Sequence, residues 1–200
     1  MKSVSALLMV VLLAGCASAV EERVSNNYMV QGAAAQARGD WDTARRAYAR
    51  ATVNADQARL PAGRRAILHY EYGRSLGVTC FFDQSEQELN AAYELDKQAG
   101  QPLYLSLIEL ARLSLDQQKF AQSVAYFERA LPELDKAGAA SSAPAGYADV
   151  LDEYAKALAG AGNAVESKIQ VNRAAMLRAA KQSKRSNTDR TPYGKFCTPA

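Results

Sequence analysis

Gly39-Asp40-Trp41-Asp42-Thr43-Ala44, followed by Tyr48 and Ala51, is the stretch on which the reading of this chain turns. It reads as a tight turn opening into a helix whose larger and smaller residues alternate with helical period. Thirteen residues before Trp41, Tyr28-x2-Gln31-Gly32-x2-Ala35 places a large-x2-large-small pattern on a preceding helix. The same register recurs three times along the chain. His69-x2-Tyr72-Gly73-x2-Leu76 leads to Phe82, Ser85, Leu89 and Ala92, and Leu107-x2-Leu110-Ala111-x2-Ser114 leads to Phe120, Ser123, Phe127 and Ala130. The fourth copy runs Leu151-x2-Tyr154-Ala155-x2-Leu158, then Ala164, Ser167, Val171 and Ala174.

Three positions in every copy are small: Gly32, Ala44 and Ala51; Gly73, Ser85 and Ala92; Ala111, Ser123 and Ala130; Ala155, Ser167 and Ala174. Gly, Ala and Ser together make up 65 of the 200 residues, so twelve hits in twelve places are far from chance. The pattern resembles the tetratricopeptide repeat, in which paired helices approach closely at these places, and the resemblance covers roughly residues 24–180. It implies an all-α fold, a short right-handed α-solenoid of about four helix-turn-helix repeats. Each amphipathic pair cannot bury its apolar face alone, and stacking builds one continuous core. A four-helix bundle shares the periodicity but does not require the small residues. The spacings of 41, 38 and 44 between Trp41, Phe82, Phe120 and Ala164 exceed the usual ~34, and no proline closes a second helix in the usual place. The extra residues are expected in longer second helices or in loops, notably the Gly/Ala/Ser/Pro stretch from Gly138 to Gly146. Trp41, Phe82 and Phe120 read as core wedges and His69 as a packed histidine.

The composition agrees with one helical domain. Hydrophobic residues are 48% and charged residues 22% of the chain, and 39 alanines against 8% aromatics favour helix over strand. The single histidine excludes chemistry that needs two imidazoles, and three cysteines without a CxxC give a structural zinc site little to work with. No spare Ser/His/Asp set, glycine-rich phosphate loop or nucleophile elbow is present, so the sequence calls for no catalytic residue, metal or cofactor and for no nucleic-acid partner.

Met1-Lys2-Ser3 is a short basic start, and Val4 to Leu13 is an almost unbroken apolar run, shorter than the roughly 20 residues that span a bilayer. The run ends in Leu13-Ala14-Gly15-Cys16, which resembles the bacterial lipobox. The resemblance implies a signal peptide over residues 1–15, lipidation of Cys16 and a lipidated tether over residues 16–23. Because Ala17 is not acidic, it also implies delivery to the outer membrane with the body in the periplasm. An ordinary secretory signal with an accidental cysteine is the alternative. Residues 181–200 form a C-terminal tail, and from Lys168 to Ala200 eight Lys and Arg face Asp189 alone. Such an end can bind anionic lipid or an acidic protein, or simply be solvated.

In the tetratricopeptide family the first helices line a concave groove, and the residue after the first small position points into it. Those residues are Ala33, Arg74, Arg112 and Lys156, with Tyr70, Ile108 and Asp152 one turn earlier on the last three helices. The three cations suit an extended peptide carrying carboxylates or a free C-terminus. Each also has an acid three residues before it, Glu71, Glu109 and Glu153, and exposed pairs of that kind contribute only a few tenths of a kcal/mol. The carboxylate clamp of chaperone-binding relatives is not reproduced. Cys80 and Cys197 remain after lipidation, and in an oxidising periplasm an even pair reads as a disulfide, with two free thiols as the alternative. The function implied is an outer-membrane-anchored scaffold presenting its groove to periplasmic or outer-membrane proteins, or to peptide-like segments of them. An envelope hydrolase with an acid dyad and a membrane-surface sensor using the basic tail are the competing classes.

Overall fold

The computed structural model describes residues 2–180 and 190–197, with side chains for residues 18–179 and 190–197. The described residues form α1 (Lys2–Ala37), α2 (Trp41–Gln57), α3 (Ala62–Val78), α4 (Phe82–Ala99), α5 (Tyr104–Asp116), α6 (Phe120–Lys136), α7 (Ala139–Ser142), α8 (Pro144–Gly160) and α9 (Ala164–Ala180). Helices α1 and α2, α3 and α4, α5 and α6, and α8 and α9 pack as four pairs, and each pair packs on the next. Among the described residues no helix is long and apolar enough to cross a membrane.

Each turn within a pair holds one residue in the left-handed region, two positions before the second helix: Gly39 (φ 76°), Cys80 (φ 74°), Gln118 (φ 59°) and Gly162 (φ 86°). The turns therefore share one backbone design, in step with Trp41, Phe82, Phe120 and Ala164. Only two of the four carry glycine, the residue that adopts this conformation without a Cβ clash, whose cost is about 1–2 kcal/mol. In the first turn Asp40 caps α2 by accepting from the Thr43 amide at 3.1 Å.

All three small positions of the first three pairs are buried, as are Ala155 and Ala174, while Ser167 is half-buried. A Cβ on Gly32 would lie 2.8 Å from the Tyr48 ring, and one on Gly73 would lie 2.9 Å from Leu89. The middle small position carries more than its size. Ser85 donates to the Gly73 carbonyl at 2.7 Å, Ser123 to Ala111 at 2.8 Å and Ser167 to Ala155 at 2.8 Å. In three pairs a hydroxyl thus ties the second helix to the backbone of the first, and in the first pair Ala44 offers only its methyl group.

The largest apolar cluster lies between α5, α6 and α8 and includes Leu107, Phe127, Leu131, Tyr147, Leu151 and Tyr154. Trp41, Phe82 and Phe120 are half-buried wedges. The Phe120 ring covers Gly160 of α8 so closely that a Cβ there would sit 2.4 Å away. The extra sequence length goes into second helices of 17 or 18 residues and into α7, a single turn inside the expected 138–146 connection.

His69 is packed, with its side chain 12% exposed, and its ring bridges Glu88 at 2.6 Å and Asp56 at 3.4 Å, tying α3 to α4 and α2. Residues 16–23, expected as a tether, continue α1, and Glu22 pairs with Arg64 of α3 at 2.6 Å. Residues 190–197 of the tail dock on the repeats. The side chains of the lipobox, Cys16 included, and residues 181–189 lie outside the described ones.

Replacing Ala111 by Leu is expected to lower stability by about 1–3 kcal/mol through overpacking against α6. Urea unfolding checks it, and an unchanged midpoint would count against this register of close approach.

Candidate functional site

Glu71 and Arg74 on α3, and Glu109 and Arg112 on α5, are three residues apart, so each pair stands on one face of its helix. Stacking brings those faces side by side. Arg74 takes Glu71 at 2.9 Å and lies 3.9 Å from Glu109 of the next first helix. Arg112 takes Glu109 at 2.8 Å and reaches forward to Glu153 of α8 at 2.7 Å. Arg190, from beyond α9, completes the row with its Nε 2.7 Å from Glu153 and its two terminal nitrogens each 2.7 Å from an oxygen of Asp116. The result is a continuous ladder of alternating charge across three first helices.

This geometry corrects the sequence-based picture of exposed groove cations. Arg74 and Arg112 are only 15% and 16% exposed, and the Glu109 side chain 4%. Their charges are already committed, and Arg74 also lies over Tyr70 and Trp41, with its guanidinium 5.5 Å and 5.9 Å from the ring centroids. Ile108 is buried. Lys156 is exposed, and Glu153 has turned from it to Arg112 and Arg190. Asp152 is taken by Arg178 of α9 at 2.7 Å. The sequence placed these residues on the right helices but could not show that an acid's partners come from the neighbouring repeat.

Residues 190–197 form a strap over the C-terminal ends of the first helices. Thr191 and Tyr193 are buried. The Thr191 hydroxyl accepts from Arg74 Nε at 2.8 Å, and the Tyr193 hydroxyl donates to Glu109 at 2.7 Å. The amides of Gly194 and Phe196 donate to the carbonyls of Gly77 and Val78 at 3.1 Å and 3.4 Å. These belong to the last turn of α3, whose carbonyls a helix leaves without internal partners. A Cβ on Gly77 would fall 2.5 Å from the Tyr193 ring, so glycine is what lets the strap close down. A disulfide joins Cys197 to Cys80 in the α3–α4 turn, with Cα atoms 5.4 Å apart. The hint in the sequence was the pair Cys80 and Cys197, which reads as a disulfide returning the tail to the second repeat.

Burial alone would raise the Glu109 carboxyl, but Arg112, Arg74 and the hydroxyls of Tyr193 and Thr191 hold it below the ordinary carboxylate range. Glu71 goes the other way: burial dominates and its flanking Arg74 only partly offsets it, so its carboxyl is raised. The Tyr193 phenol is pushed well up by burial and by Glu109.

The N-terminal ends of α3, α5 and α8 leave the other half of the concave face open. A cavity of about 840 Å³ lies among Pro61, Ala66, Ile67, Tyr70, Pro102 and Leu105. A second, of about 460 Å³, shares Tyr70 and Leu105 and continues to Tyr104, Ile108, Tyr147 and Val150. Ile67 is 57% exposed and Leu105 49%. Among the described residues no group of three or more His, Cys, Asp or Glu is placed to hold a metal ion.

No protein-family model and no curated protein sequence matches the chain. Solved structures do. BtubC (BKLC) from P. vanneervenii superposes with a TM-score of 0.74 over 83% of this chain and 67% of its own, at 18% identity. A kinesin light chain-type protein from Podospora anserina, with nearly identical TPR-like repeats, gives 0.66 over 80% and 76%, at 15% identity. The fold is that of tetratricopeptide-like helical repeats. MamA is similar over 80% of this chain and 94% of its own, with a TM-score of 0.51 at 14% identity.

Glu109→Gln should cost about 3–5 kcal/mol, because it strips the shared charge from two buried arginines. Since the Glu109 carboxyl is lowered in the fold, its contribution is present above its unfolded value of about 4.3 and is lost as pH falls through the folded one. Urea unfolding across pH 3–7 checks this, and the variant should lack that part of the acid loss.

Proposed function

We propose that this chain is an outer-membrane-anchored periplasmic scaffold or adaptor. In this reading a short right-handed tetratricopeptide-like solenoid holds protein partners, or peptide-like segments of them, in the open half of its concave face. One observation carries it. On a face where the ladder and strap have used the charges, Ile67 and Leu105 stay exposed above Tyr70 and Ile108, lining two connected cavities. An apolar recess of this size rimmed by polar residues marks an interaction site more than a solvated surface. The anchor and compartment rest on Leu13-Ala14-Gly15-Cys16, and the Cys80–Cys197 disulfide agrees with an oxidising compartment. The competing classes have less support among the described residues: Arg190 of the tail is committed to Asp116 and Glu153, and Glu71, Glu109 and Glu153 are paired with arginines.

Two variants test the two halves of the reading. Ile67→Asp with Leu105→Asp should reduce recovery of crosslinked partners from membranes at least tenfold while changing stability by about 0.5 kcal/mol or less, because both sites are exposed. Equal recovery would remove the open half as the binding face. Cys16→Ser should release the protein from the membrane fraction or leave the precursor uncut, and normal processing with retention would remove the anchor.

A further inference from the structure

The strap lies along a concave repeat face as an extended peptide ligand would, and the chemistry that holds it is explicit. Arg190 makes three guanidinium contacts, two to Asp116 and one to Glu153, each at 2.7 Å. Thr191 engages Arg74, and the Tyr193 hydroxyl engages Glu109 while its ring fills the space left by Gly77. Without the strap this face carries four acids, Glu71, Glu109, Asp116 and Glu153, against three cations, Arg74, Arg112 and the exposed Lys156. Asp116 would then lose the guanidinium that pairs with both its oxygens, and Glu153 would keep Arg112 alone. The bare face is acidic, so the group it selects is a cation, the reverse of the carboxylate grip that the row of arginines suggests from sequence.

We propose that the C-terminal half of the concave face is a recognition site for extended segments of the type Arg-Thr-x-Tyr, filled in cis by Arg190–Tyr193 and latched by the Cys80–Cys197 disulfide. Reduction of the latch opens it to a protein partner carrying that chemistry. Cys80 and Cys197 are each half-buried rather than enclosed in the core. The reductant is a dithiol, protein-borne or small. Its two thiols give up two electrons and two protons and close to a disulfide, while the Cys80–Cys197 S–S bond breaks and each sulfur takes up a proton. After reduction the strap remains tethered, at an effective concentration on the order of millimolar. A partner therefore wins by adding contacts beyond the strap, and the open half begins across Arg74 and Tyr70, which line the cavity next to it. The site adjoins the open half on which the adaptor reading rests, because Arg74, Glu109 and Arg112 also line the second cavity, but the two readings are tested at different residues, Arg190 and Tyr193 here and Ile67 and Leu105 there, so either can fail without the other.

The probe is a fluorescein-labelled peptide with the sequence Arg190–Phe196, titrated against the full-length chain. Oxidised wild type is compared with full-length Arg190→Ala/Tyr193→Ala/Cys197→Ser, in which the strap is released. The released chain is expected to bind the peptide saturably and at least tenfold more tightly than oxidised wild type, with affinity falling as salt rises. Adding Asp116→Asn and Glu153→Gln should weaken it at least tenfold again. Equal affinity for both chains, or no binding by a released chain of native helicity, overturns the proposal. Should the released chain lose its helicity, hydrogen exchange of wild type with and without dithiothreitol decides. The Gly194 and Phe196 amides should exchange at least tenfold faster after reduction while α5 and α8 stay protected, and unchanged protection of the strap overturns the latch.

Discussion

Helices within each pair approach so closely that a methyl group at Gly32 or Gly73 would press into the Tyr48 ring or Leu89. The stacking of one pair on the next inherits that distance. The pairs share a left-handed residue at the same place in each turn, and their stacking brings the first helices α3, α5 and α8 into contact in turn. Only then does the Glu-x2-Arg spacing on α3 and α5 become a ladder, because each pair on its own helix falls within reach of a charge on the next. The serine bridges add direction to the close approach. A hydroxyl from Ser85, Ser123 or Ser167 meets one carbonyl of the partner helix, so sliding by a turn would strand a buried polar group.

The ladder fixes position more than it adds stability. Taking Glu109, Arg74 and Arg112 out of water costs several kcal/mol per ion, and their mutual attraction offsets that only where every charge has a partner in good geometry. Glu109 meets the condition with two guanidiniums and the Tyr193 hydroxyl, and these hold its carboxyl below the ordinary carboxylate range despite its burial. Glu71, at the end of the row, stays raised. Two of the partners that complete the row, Tyr193 and Arg190, come from the strap. The arrangement of the repeats and the docking of the chain end are therefore coupled, although Ala180 and Arg190 are separated by nine residues.

Period and residue size were legible in the sequence, and both are properties of single helices. The twelve small positions, the helix pairs and the wedges Trp41, Phe82 and Phe120 come from them. Apart from the Cys80–Cys197 disulfide, which the even cysteine pair suggested, features set by contacts between distant segments were not legible. Glu153 is three residues from Lys156, which made the pair look local, yet its partners are Arg112 and Arg190, each roughly forty residues away. Cys80 and Gln118 adopt left-handed turns that their identities do not advertise, and only their alignment with Gly39 and Gly162 shows the common design. The tail read as a basic end that could bind lipid or protein or be solvated, pinned at Cys197 alone, because its charges were visible and its acceptors, on α3, α5 and α8, were not.

The two halves of the concave face differ for a reason that begins with helix polarity. First helices run in the same direction, so their C-terminal ends, with unpaired carbonyls and the negative end of each dipole, gather on one side. Asp116 is the last residue of α5 and adds a formal charge there, while Gly77 and Val78 supply carbonyls from the last turn of α3. A segment bringing a guanidinium and free amide donors complements that edge, and Arg190 with Gly194 and Phe196 does so. The N-terminal ends gather on the other side, where the N-cap positions Pro61, Leu103 and Ala143 make no side-chain cap. There Ile67, Tyr70, Leu105 and Ile108 supply apolar surface beside a rim of charged residues that includes Arg64 and Asp96. A cationic strap thus has one edge it satisfies, and among the described residues its contacts fall on that edge and leave the apolar half open.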